Sequence, residues 1–253
     1  MMTEVISVIS GKGGVGKTTL TANLADALTK QHKSVLVIDA NISGANLGLH
    51  MNILNPEADL NSVLSGKSEI ANAIYSHASG FHVIPASLNM ASENMRGFKD
   101  VISGLVGHFD FILIDTAAGA DNEVKEAIAA SDSVLIVTNP EIPAVSNAAL
   151  VKRLASNLGK PVKGIVVNMS RGEYLELSDM DIIKFLGENI ISKIPYHDDV
   201  KQSIVLGKSV LDYKSTSPPS VEITSLSRKL CGLEEQKDSI FKTLASKIPG
   251  LNR

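Results

Sequence analysis

Residues 11–19 read Gly-Lys-Gly-Gly-Val-Gly-Lys-Thr-Thr. In a run this rich in glycine, successive backbone N–H groups can turn toward one point and close around phosphate oxygens. Lys17 is spaced to reach β- and γ-phosphates, and the Thr18 hydroxyl to coordinate Mg²⁺. Gly11, Lys12, Gly13, Gly14, Val15, Gly16, Lys17, Thr18 and Thr19 are the candidate nucleotide-binding residues of this loop.

Other residues could complete that chemistry from the ends of apolar runs. Phe109–Ile114 leads into Asp115, an acid suited to an outer-shell hold on Mg²⁺, so Thr18 and Asp115 form the candidate metal pair. Gly119 follows close behind and could bring its N–H against a γ-phosphate. Val35–Ile38 leads into Asp39, Ala40 and Asn41, and this end should lie next to the phosphate loop. Asn168 closes Gly164–Val167 and offers an amide that could read an adenine edge or stabilise the following turn. Pro195, after Ile190–Ile194, joins the cofactor-binding candidates.

Such residues need strands that end together. The runs Val5–Ile9, Val35–Ile38, Phe81–Pro85, Phe109–Ile114, Val134–Val137, Ile165–Val167 and Ile190–Ile194 are short and rich in Val and Ile, as parallel strands covered on both faces are. Helical patterns separate them at Lys17–Lys30, Glu123–Ala130, Ala144–Leu158, Asp179–Leu186 and Val221–Leu230, the last with Pro219 as its first position. The alternation predicts an α/β fold: a doubly wound, mostly parallel sheet with helices on both faces and ligands at the strands' carboxyl ends. The phosphate loop has the strand before it and the helix after it that its chemistry requires.

The 253 residues fit one large domain, read as 1–232, followed by a tail, 233–253, after a helix stop at Gly232. A net charge of −3 argues against nucleic acid as a partner. The single cysteine, Cys231, excludes an internal disulfide and a cysteine-held cluster. The six histidines show no ligand spacing. No secretory leader or spanning apolar run is evident, which predicts a cytoplasmic protein. In the tail, Ile240, Phe241, Leu244, Ile248 and Leu251 fall within one stripe of about 100° on a helix, with Lys242 opposite and Lys237, Lys247 and Arg253 nearby. This is the pattern of a helix lying in the plane of an anionic membrane, and also of one that packs its stripe on the core.

With its extra lysine, Lys12, the loop resembles the deviant Walker A motif of the MinD/ParA group of dimerising ATPases. The resemblance continues in family order from residue 4 to about 232 and is closest to archaeal-type MinD. Val37-Ile38-Asp39-Ala40-Asn41-Ile42 with Ala45-Asn46-Leu47 resembles the first switch, and Ile114-Asp115-Thr116-Ala117-Ala118-Gly119 the second. Thr138-Asn139-Pro140-Glu141-Ile142 and Val166-Val167-Asn168 follow. It implies a cycle in which ATP and Mg²⁺ bind and two copies of the chain meet face to face. Lys12 of each would reach the other's phosphates, the dimer would bind membrane and answer to a regulatory protein, and hydrolysis would release it. Lys12, Lys17, Asp39 and Asn41 are the implied catalytic set. Asn41 stands where the family carries an aspartate that positions water, which predicts slow turnover, and Ala117 stands where proline is usual. A ParA-like DNA-partition or flagellar-number ATPase, a ligase of the same fold, and an ATP-holding module with little turnover are the alternative functions.

Overall fold

The computed structural model describes residues 3–53, 55–87 and 95–233. In chain order the strands are β1 (Glu4–Ser10), β2 (Val35–Ala40), β3 (Tyr75–Ser76), β4 (His82–Ile84), β5 (Phe111–Ala118), β6 (Ser133–Thr138), β7 (Val162–Ser170) and β8 (Ile190–Pro195). The helices are α1 (Lys17–Thr29), α2 (Leu47–His50), α3 (Leu60–Leu64), α4 (Phe98–Leu105), α5 (Asn122–Ala130), α6 (Ile142–Asn157), α7 (Asp179–Leu186), α8 (Asp198–Val205), α9 (Val210–Tyr213) and α10 (Pro218–Leu230). The strands form one sheet in the order β3-β4-β2-β5-β1-β6-β7-β8, parallel throughout except for β3, which runs antiparallel to β4 at the edge.

The predicted doubly wound sheet is therefore present, and it is held by two-sided burial. Along β1, Ile6 and Val8 face one layer with Leu20, Leu24 and Leu28 of α1 and Ile223 and Leu226 of α10. Val5 of the same strand faces the other way, with Ile102 of α4 and Ala127 of α5. Ile9 also lies on that side, against α5, α6 and α7 through Val124, Val145 and Ile182. Burying these aliphatic side chains on both faces is the main favourable term of the fold. All seven predicted strands are found. The edge strand β3 and the helices α2, α3, α4, α8 and α9 are not among the elements read from the sequence. Helix α10 starts at Pro218, with Ser217 as its cap, so Pro219 is its second residue. The tail residues Ile240, Phe241, Leu244 and Ile248 lie outside the described residues.

Candidate nucleotide-binding site

The phosphate loop bridges β1 and α1 at the carboxyl edge of the sheet. Gly14 and Gly16 take left-handed φ values of +79° and +84°, which a side chain disfavours. Gly16 is restricted twice over, since a Cβ there would lie 2.4 Å from Asn168 Nδ2 and 2.8 Å from Met169 Cε. Gly11 abuts α6, where a Cβ would fall 2.0 Å from the Asn147 carbonyl oxygen. Val15 is the loop's buried apolar anchor. Asn168 Nδ2 donates to the Val15 carbonyl at 2.8 Å, and Asn139 Nδ2 donates to the Asn168 carbonyl at 2.9 Å. The Asn168 amide nitrogen therefore supports the loop, and its Oδ1 is the group left for a base edge. Asn168 and Pro195 do share one recess of about 110 Å³, whose lining mixes aliphatic side chains with Thr19, Asn23, Tyr196, His197 and Lys201.

Beneath the loop, Asp39 of β2 and Asp115 of β5 are both fully buried. Lys17 donates to the Thr116 carbonyl and sits 3.6 Å from Asp115 Oδ1. Burial raises the pKa of Asp115 against the Lys17 charge and the Thr18 hydroxyl, which favour its ionised form. Asp39 is pushed up to about 7 by burial and by the Asp115 charge. It accepts hydrogen bonds from the backbone N–H groups of Asn41 (3.1 Å), Asn46 (3.2 Å) and Leu47 (3.0 Å). Both of its oxygens are thus turned onto the chain that follows. In this conformation Asp39 shapes residues 41–47.

Two further expectations meet the structure differently. Gly119 donates its N–H to the Ser10 carbonyl at 2.9 Å. It is therefore not free for a phosphate in this conformation, because β5 runs on to Ala118 in register with Ser10 and draws Gly119 against β1. Asn41 turns its amide back onto its own loop and donates to the Gly44 carbonyl at 2.7 Å. Lys12 stands apart from the cradle. Its side chain is 45% exposed against 9% for Lys17. It lies 3.6 Å from Glu141 on an open cleft of about 480 Å³ bounded by Asn139, Met169, Arg171 and Tyr196.

A family model described as an AAA domain matches residues 3–160. The septum site-determining protein MinD of Thermotoga maritima is 33% identical over 256 residues, covering 96% of this chain and 94% of that protein. The chain belongs to the MinD/ParA family of P-loop ATPases. MinD of Pyrococcus horikoshii, solved with Mg-ADP, superposes with a TM-score of 0.87 at 27% identity, covering 95% of this chain and 99% of that one. MinD in the MinC:MinD complex of Aquifex aeolicus gives 0.83 at 32% identity, covering 90% and 96%.

As a MinD-like ATPase the chain takes ATP and Mg²⁺, and its buried residues fit the metal. Asp115 Oδ2 is buried without a hydrogen-bond partner, the kind of orphaned acceptor that a metal-bound water satisfies. Thr18 supplies the hydroxyl beside it. Several residues of the site were not legible in the sequence. Met169 has a left-handed φ of +58°, which nothing in the side chain of methionine signals. Tyr196 packs under the Arg171 guanidinium at 3.7 Å, with Lys201 Nζ 5.0 Å from its ring centre. Its position next to Pro195 could have marked it.

Proposed function

We propose that this MinD-like ATPase is an ATP-dependent homodimer that acts as a positional regulator of cell division by associating reversibly with anionic membrane. The observation that carries the reading is the division of labour between two lysines of one loop. Lys17 is buried in its own subunit's cradle, whereas Lys12 is half exposed on an open cleft. A second subunit closing over that cleft would exclude water around Lys12, where its charge on a phosphate counts for more than in solvent.

Within one subunit, the glycine loop from Gly11 to Gly16 presents backbone donors, and the N-terminus of α1 adds its positive end. Lys17 holds the β- and γ-phosphate oxygens, while Thr18 and Thr19 close the loop. Thr18 and Asp115 would hold Mg²⁺, which supplies neutralisation of the charge that builds on the phosphate oxygens. Pro195 and Asn168 flank the base. At position 41 an amide replaces a group that could accept a proton or orient water by charge, so ATP turnover is slow and the ATP-bound state long-lived. That property also favours a second reading, a chain that holds ATP and signals by occupancy.

Among the described residues no helix is long and apolar enough to cross a membrane. Membrane contact is assigned to Ile240, Phe241, Leu244 and Ile248. The MinC:MinD complex of Aquifex aeolicus supports a regulatory protein partner, and the septum-site relatives support the cell-division role.

Light scattering of the parent chain and of Lys12→Ala at saturating Mg²⁺-ATP tests the reading. The parent should double in mass and the variant should stay monomeric. A parent chain that remains monomeric sinks the dimer reading.

A further inference from the structure

Glu123 is a buried carboxylate to which the chemistry above gives no part. It lies in the first turn of α5, four residues after the second switch segment ends at Gly119, and is 9% exposed. Ser43 lies 80 residues away in sequence, in the short 3₁₀ turn Ile42–Gly44 between Asn41 and Asn46. Its hydroxyl donates to Glu123 Oε2 at 3.3 Å. The neighbouring Ile42 is 4% exposed and belongs to the same apolar cluster as Ala127, one turn further along α5.

The rest of the 41–47 loop is held from within its own strand and turn. Asp39 binds the N–H groups of Asn41, Asn46 and Leu47, and Asn41 binds Gly44. Ser43–Glu123 is the polar tie that leaves this local set and crosses to the element behind the second switch. We propose that Glu123 is a positioning residue that latches the first switch segment to the second through the Ser43 hydroxyl. A shift of α5 then carries the loop bearing Asn41 with it. The inference rests on the reading of residues 41–47 and 114–119 as nucleotide-sensing segments.

Hydrogen–deuterium exchange of residues 41–47 in the full chain without nucleotide tests the latch. One hydrogen bond of ordinary net strength corresponds to a change in local opening of about fivefold. Glu123→Ala and Ser43→Ala should each speed exchange of this segment by about that factor. The double variant should be no faster than either single change, because both remove the same bond. Glu123→Gln keeps an acceptor oxygen and should stay within about twofold of the parent. Unchanged protection in both single variants overturns the proposal, as does a double variant whose effect is the product of the two, or a Glu123→Gln as fast as Glu123→Ala. Ser43 is exposed, so its truncation tests the latch even if Glu123→Ala unfolds the chain. A parallel titration of the parent with fluorescent ATP separates the two levels: failure to bind would overturn the nucleotide reading, whereas the exchange result judges the latch.

Discussion

Asp39 and Asp115 are register partners on the adjacent parallel strands β2 and β5. Two carboxyl groups are thus set side by side in the centre of the sheet, both fully buried. Like charges so placed resist joint ionisation, and burial adds to the effect. With its pKa raised to about 7, Asp39 binds a proton more tightly folded than unfolded. Its contribution to stability is full below the ordinary carboxylate range and is lost as the pH rises toward 7. Asp115→Asn removes the opposing charge. The melting temperature of the variant relative to the parent, without nucleotide, should therefore rise between pH 5 and pH 7, by roughly 3–6 °C. A difference that stays flat over that interval would show that the pair is not coupled as described.

Gly14 and Gly16 share a left-handed backbone but differ in what surrounds them. A Cβ at Gly14 meets nothing within 4 Å, whereas one at Gly16 strikes Asn168 and Met169. Gly14→Ala should cost about 1 kcal/mol of backbone strain. Gly16→Ala should cost about 2–4 kcal/mol, because Asn168 must also release the Val15 carbonyl. Urea denaturation of the two variants measures the gap, and equal midpoints would refute the close packing of loop against β7.

Asn41→Asp should speed ATP hydrolysis by about 10²–10⁴. The substitution also removes the donor to the Gly44 carbonyl, freeing the side chain from its own loop. Phosphate release under single-turnover conditions is the readout. A variant no faster than the parent would place the water-orienting group elsewhere.

Residues 234–251 should bind anionic vesicles weakly as one copy and firmly as two. Five apolar side chains supply roughly 1.5–3 kcal/mol each on full burial, and ordering a short helix consumes much of that. Two copies on one dimer add an effective-concentration gain of about 10²–10⁴. Co-sedimentation with anionic liposomes should require ATP and fall on Phe241→Glu or on truncation after Gly232. Binding that survives both changes would remove the tail as the anchor.

The phosphate loop and the parallel strands were legible because each is written in a contiguous stretch: glycine spacing in one case, Val and Ile runs in the other. What escaped was written across the chain. Asn168 supports Val15, 153 residues away in sequence, and no local pattern distinguishes that bond from an amide aimed at a base. Gly119 was assigned a phosphate because its type suits one, yet strand extension against Ser10 takes its N–H. The two-residue strand β3 is too short for a period-two pattern to register.

Helix α10 runs counter to the strands. It begins beside Ser170 and Pro195 at the carboxyl edge, and Cys231 at its far end feels the charges of Glu4, Lys33 and Asp110 at the opposite edge. Thirteen helical residues span about 20 Å, so the last described residues lie at the edge of the sheet opposite the phosphate loop. If ATP pairs two copies of the chain as proposed, each pair carries two such ends, and whatever follows Leu233 would read the number of subunits rather than the nucleotide itself.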